Sequence, residues 1–157
     1  MSKYREAPFV RVAYQNIGDP EYYQRLLTRE LEISLRREKG VYDLTQRVAR
    51  VTQVSQSRAA TIAQTERTRA QNMARWDSLL EANRTERAHK KKYRKQWVSH
   101  QDGKTRDSHA SLSGQVQYVN DPFVTMDGTK IMYPGDPSAP ASETINCRCY
   151  MRRINPK

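Results

Sequence analysis

The chain has 157 residues, of which 36% are hydrophobic and 29% charged, and it carries a net charge of +11 at pH 7. That length suits one or two small domains, and the low apolar share allows only a modest core, so part of the chain is expected to be an extended helix or to lean on neighbours in an assembly. No apolar run approaches the roughly 20 residues that span a bilayer, no apolar stretch behind Met1–Glu6 reads as a signal peptide, and the positive excess points to a polyanionic partner.

Residues 1–18 show no clear period, with a strand or arm expected around Phe9-Val10-Arg11-Val12. Asp19-Pro20-Glu21 reads as a helix start: Asp suits the N-cap, Pro the first helical position, and Glu the positive end of the dipole. Tyr23, Leu27, Leu31 and Leu35 recur every four residues along one face. Gly40 stands after a basic last turn, so the pattern predicts a helix over 20–39. Leu44, Val48 and Val51 predict a short second helix with Asp43 as its cap. From Gln56 no Pro or Gly occurs until Gly103. Ala59, Ile62, Ala63, Ala70, Met73 and Leu80 trace a thin apolar stripe, which predicts one long helix over about 57–92. Thr65-Glu66 interrupts its interior, either as an exposed Glu66 paired with Arg67 or Arg69, or as a polar pair docked on the C-terminal part.

Residues 84–95 form a basic run, with Arg84, Arg87, Lys90, Lys91, Lys92, Arg94 and Lys95 against Glu86. These seven side chains are the candidate contacts to DNA phosphates. Beyond Tyr93 the texture changes. Gln96–Ser99 reads as a strand, Thr105 as the cap of a short helix ending at Leu112, and Gly114 as its stop. Val116 and Tyr118 alternate. Asp127-Gly128 between Phe123–Met126 and Thr129–Tyr133 is a hairpin signal. As a strand, residues 147–152 put Cys147, Cys149 and Met151 on one face and Arg148, Tyr150 and Arg152 on the other. The prediction is an α+β protein: residues 1–92 a helical region with the long basic helix, residues 93–157 a small antiparallel sheet with a short helix.

Two cysteines at i, i+2 are poor disulfide material, because their Cα atoms in a strand lie roughly 6.6 Å apart; a reducing compartment fits best. His109, Cys147 and Cys149 are ligands of the right type for zinc, with His100 or Asp107 as a fourth. The alternative is that both thiols pack as small apolar groups and His109 is a hydrogen-bonded helix residue. The expectation is packing without a cofactor, with zinc as the competing reading. Asp102, Asp107, His109 and Glu143 could instead assemble a metal-dependent nuclease site, or Cys147 and His109 a nucleophile pair; no spacing favours either. No Gly-rich phosphate loop is present.

The C-terminal motifs follow one another in order: Lys95-Gln96-Trp97, Asp102, Thr105-Arg106-Asp107-Ser108-His109, Gly114-Gln115 and Asp121-Pro122-Phe123. Then come Met132-Tyr133-Pro134-Gly135-Asp136-Pro137, Pro140-Ala141, Glu143 and Ile145-Asn146-Cys147-Arg148-Cys149. This run resembles the head-morphogenesis domain of tailed bacteriophages, the Mu F-like minor head protein family. Upstream, Ile62–Asn72, with Thr65-Glu66, resembles the helix that precedes that domain, Gln64 standing where an Arg is usual. The resemblance covers roughly residues 41–153.

It implies a minor capsid protein without catalysis, made in the bacterial host cytoplasm and housed in the capsid interior of the virion. Its implied partners are the portal protein, other capsid or scaffold proteins, and double-stranded DNA bound without sequence preference; no membrane is involved. Some relatives carry cysteines at the positions of Arg106 and His109, so the resemblance implies that His109, Cys147 and Cys149 lie together, although Arg106 cannot ligate a metal. Many members are longer at the N-terminus, so the chain reads as a short member or a fragment. Family members related to toxins carry a catalytic extension, for which the end at Lys157 leaves no room. The alternatives are a metal-dependent nuclease or toxin-related enzyme domain, and a non-phage basic nucleic-acid-binding module.

Overall fold

The computed structural model describes residues 20–85, 92–100 and 102–155. The expected arm around Phe9–Val12, the capping Asp19, and Arg87, Lys90 and Lys91 lie outside these residues. The architecture is α+β, as the patterning predicts.

Helix α1 spans Pro20–Arg36. It buries Leu27 and Leu31 against a cluster that Tyr23 and Leu35 flank. It ends earlier than the Gly40 signal suggests. Glu38 takes the left-handed conformation (φ 52°), its N–H reaching the Leu35 carbonyl while the Lys39 N–H reaches that of Ser34. This is the two-bond closure usually built on glycine. Gly40 instead sits at the N-cap of α2, Val41–Thr52. Asp43 is therefore not the cap. It lies in the first turn and binds Arg47 Nε at 2.8 Å, and Arg47 also reaches Glu30 of α1 at 3.0 Å.

Helix α3 is described over Gln56–Thr85; residues 86–91 of the expected helix lie outside the described residues, and Lys92 is no longer helical. By Tyr93 the chain has turned back on it: Asn83 accepts the Tyr93 N–H at 2.9 Å and donates to the Tyr93 carbonyl at 3.3 Å. The helix serves two cores. Ala59, Ile62, Ala63 and Ala70 pack on Leu27, Leu31, Leu44 and Val48. Further along, Leu79, flanked by Met73, Trp76 and Leu80, packs on Val119, Tyr133 and Met151.

The sheet has β1 (Arg94–Val98) at its centre, with β2 (Val116–Tyr118) and β5 (Tyr150–Ile154) antiparallel on either side. Trp97 stands opposite Met151 across β1 and β5. Helix α4, Asp107–Leu112, lies in the β1–β2 connection. Thr105 does not cap it; its hydroxyl donates to the His100 carbonyl, and Arg106 occupies the cap position. The Asp127-Gly128 hairpin joins β3 (Phe123–Val124) to β4 (Lys130–Ile131). One turn of helix, α5 (Ala141–Thr144), precedes β5. The sheet-side core is Trp97, Leu112, Phe123, Ile131, Ala139, Cys147 and Cys149. Trp97 is fully buried, its ring meeting Phe123 edge-on at 5.3 Å and His109 at 5.0 Å. Alternation along residues 147–152 holds, but the strand begins only at Tyr150. The Cys147 and Cys149 carbonyls are taken by side chains of α3 rather than by a neighbouring strand.

Candidate functional site

The motif residues converge where α3 meets the chain before β5. Thr65, Thr68, Asn72 and Trp76 recur at three- and four-residue intervals, which lines them up on one helix face. Each satisfies a backbone group of the C-terminal half. Thr65 Oγ1 accepts the Asn146 N–H at 2.9 Å. Thr68 Oγ1 donates to the Cys147 carbonyl at 2.6 Å. Asn72 donates to the Cys149 carbonyl at 3.2 Å and accepts the Met151 N–H at 2.8 Å, the pair of bonds a neighbouring strand would make. Trp76 Nε1 donates to the Val119 carbonyl at 2.9 Å. Buried peptide groups need such partners, so this polar face is the seam between helix and sheet. Asn146 takes φ 57° to present its N–H, a conformation asparagine tolerates.

Glu66 is buried, not exposed, and Arg69 Nη1 lies 3.3 Å away, with Arg69 itself 2% exposed. Burial pushes the Glu66 carboxyl up and Arg69 opposes it. Arg69 Nε also reaches the Gly135 carbonyl. Gly135 (φ 82°) passes so close that a Cβ there would lie 3.0 Å from Arg69 Cα. Next to it, Asp136 folds the loop inward: Oδ2 accepts the Met132 N–H at 2.9 Å, and Oδ1 accepts the Ser138 N–H and hydroxyl.

Beneath this seam lies the thiol–imidazole cluster. His109 Nδ1 is 3.6 Å from both Cys147 Sγ and Cys149 Sγ, and all three residues are buried. On the far side of the ring, Nε2 lies 2.9 Å from Glu143 Oε2, which also accepts the Ser108 hydroxyl at 3.0 Å. Arg106 fixes the loop by donating to the Glu143 and Ile145 carbonyls. The Cys147 thiol is pushed up, because it donates its proton to Cys149 and is buried. Cys149 is pulled down by that donation, against burial and with help from His109.

The donor set can be tested against zinc. Zn–S of about 2.3 Å and Zn–N of about 2.0 Å at tetrahedral angles give N···S edges of about 3.5 Å, close to the spacing seen. A carboxylate on the other ring nitrogen is the usual outer partner of a ligating histidine. His109, Cys147 and Cys149 thus fit three corners of such a site, with Glu143 behind His109.

The acidic set suggested for hydrolysis does not assemble. His109 and Glu143 meet, but Asp102 is held by the Arg148 guanidinium, Nη2 to Oδ1 at 2.7 Å, which depresses its pKa well below the usual carboxylate range. Asp107 is exposed on α4, and His100 is an exposed residue beside Tyr150 rather than a fourth ligand. Gly114 takes φ 89° and sends its N–H to the Trp97 carbonyl.

Of the basic run, Arg84 and Lys92 are exposed and Arg94 half-buried. Lys95 must be withdrawn from the phosphate-contact set. It is fully buried, its Nζ donating to the Met132 carbonyl at 2.7 Å and lying 5.1 Å from the Phe123 ring centre. Burial pulls it down to about 8, opposed by Asp121 and Asp136. The roles of Thr68, Asn72, Trp76 and Lys95 were missed from sequence. The available signal was Thr, Thr and Asn at helical spacing on the stripe of a helix already expected to be part-buried.

A family model described as Phage Mu protein F like protein matches residues 27–152. No curated protein and no solved structure matches the chain.

Proposed function

Because the chain belongs to the phage Mu protein F like family, whose role is head morphogenesis, we propose that it is a minor capsid protein of a tailed bacteriophage that works inside the procapsid beside the portal. The observation that carries this reading is the extent of the match. It runs from within α1 to within β5, so the matched unit takes in the helices, the seam and the sheet together. The burial of His109, Cys147 and Cys149 supports a structural rather than a catalytic use, because a substrate would have to displace core side chains to reach them. Co-expression with the portal of the same phage tests the proposal. Co-purification with the portal oligomer and presence in procapsids are expected. Cutting of plasmid in the presence of a divalent metal, without portal binding, would overturn it in favour of the nuclease alternative.

The same reading includes weak contacts to double-stranded DNA through Arg84, Arg87, Lys90, Lys91, Lys92 and Arg94. These residues are clustered in sequence, and phosphate contacts need charge rather than base readout. With ~3–6 phosphates neutralised, log K should fall against log salt with a slope of about −3 to −5. Two duplexes of unrelated sequence should bind alike.

A second reading concerns the buried cluster, where the two 3.6 Å N···S spacings favour a structural zinc held by His109, Cys147 and Cys149. Elemental analysis of protein purified without chelator decides it. One equivalent of zinc, with Cys147→Ser unfolding the chain, supports the site; protein that is folded and free of metal returns the cluster to packing alone.

A further inference from the structure

Along the outer edge of β5, on the side facing α3, run two adjoining cavities of about 390 and 550 Å³ that share Arg75 and Tyr150. Neither is lined by a single Asp or Glu. Arg67 and Arg148 line the first, Arg152 and Arg153 the second, and Arg75 stands between. Only Arg148 is neutralised, by Asp102. Among the described residues the other four make no ion pair. Arg67 donates to the Lys39 carbonyl, Arg75 to Asn72 Oδ1 and Arg152 to Gln96 Oε1, while Arg153 stacks 3.7 Å over the Tyr93 ring. Four uncompensated guanidiniums along one groove form an anion-seeking surface, and their planar forks match carboxylates.

The second cavity adds an apolar floor of Leu79 and Met151 below exposed Ala74 and Ser78. Phosphates on a convex duplex need only a charged face and gain nothing from an enclosed apolar floor. An extended chain that alternates side chains can place carboxylates on the arginines and an apolar residue on the floor. A second copy of this basic chain is not complementary, and neither are its own residues 1–19, where Lys3, Arg5 and Arg11 outnumber Glu6 and Asp19.

We propose that the groove between α3 and β5 binds an extended acidic segment, carrying at least one large apolar side chain, from a partner protein. The proposal rests on the assembly role above only in supposing a protein partner, and it does not use the DNA-binding segment.

The experiment uses the full chain and fluorescence anisotropy with two probes. One is a peptide of roughly 10 residues, long enough to span both cavities, alternating Asp or Glu with Leu; the other is an unrelated DNA duplex. Three variants are compared. Arg75→Glu with Arg152→Glu reverses charge in the groove. Arg84→Glu with Lys92→Glu makes the same net change outside it. Ser78→Trp fills the groove without changing charge. The groove double variant and Ser78→Trp should each weaken peptide binding by about tenfold or more, while duplex binding holds. The outside variant should do the reverse. Equal loss of peptide in both charge variants, retention of peptide by Ser78→Trp, or no saturable peptide binding by the unaltered chain up to about 1 mM would each overturn the proposal. Loss of the duplex from the groove variants instead would identify a nucleic-acid face. Should the groove double variant fail to fold, Ser78→Trp carries the decision. If peptide binding behaves as expected while the portal experiment fails, the groove stands and the assembly role falls.

Discussion

Replacing Asn72 with Ala tests whether the polar face of α3 holds the sheet. Asn72 is 1% exposed. Its amide is the partner of both the Cys149 carbonyl and the Met151 N–H. Truncation strands both groups in the interior. Each orphaned buried peptide group costs about 1–3 kcal/mol, and a water entering the vacated space would return part of that. The expected loss is therefore about 2–4 kcal/mol, a large fraction of the ~5–15 kcal/mol that holds a domain folded. Urea melts followed by tryptophan fluorescence should show the midpoint fall with an unchanged slope, the mark of altered stability rather than altered compactness. Hydrogen exchange supplies the local reading, since the Met151 amide should lose protection more than the amides of α1. Arg84→Ala, on a side chain 79% exposed, is the control and should stay within about 0.5 kcal/mol. An Asn72→Ala loss below about 0.5 kcal/mol, or unchanged Met151 protection, would refute the idea that this face is the structural seam.

Two further outcomes follow from the same geometry. Gly135→Ala places a Cβ in a left-handed conformation and against the α3 backbone. It should cost about 2 kcal/mol or more, read as a fall of roughly 5–10 °C in the melting temperature; a fall of less than about 1 °C would mean the loop relaxes away from Arg69. Lys95 has a folded-state value of about 8 against 10.5 for a free lysine. Between those pH values the unfolded chain holds the extra proton, so stability contributed by this group rises with pH across that window. The melting temperature of the natural chain, measured relative to Lys95→Met, should therefore climb from pH 8 to 10.5; a flat difference would show that the ammonium is not desolvated.

Local chemistry wrote much of this protein directly into its sequence. Leucines every four residues placed α1, alternation placed the buried face of Cys147, Cys149 and Met151, and Asp-Gly placed the β3–β4 hairpin. Each depends on neighbours a few positions apart, which any reader of the sequence can see. The ordered motifs also brought His109 to the two cysteines. What the sequence could not decide were the features set by partners far along the chain. Lys95 sits in a basic run, and its neighbours predicted a solvated charge. Only the sheet register, which turns its side chain under Phe123 toward the Met132 carbonyl, makes it a core residue. Glu38 closing α1 in place of Gly40 was likewise hidden, since Gly40 was needed to open α2. The seam was the largest omission. Thr65-Glu66 read as an interruption of the apolar stripe, with docking on the C-terminal part as one account of it, but Thr68 and Asn72 stood unmarked because their partners, the peptide groups of Cys147, Cys149 and Met151, lie 77 to 79 residues away. A helix that buries apolar side chains against one neighbour and hydrogen-bonding side chains against another shows no single periodic face, and only the packed structure reveals that the polar face is also buried.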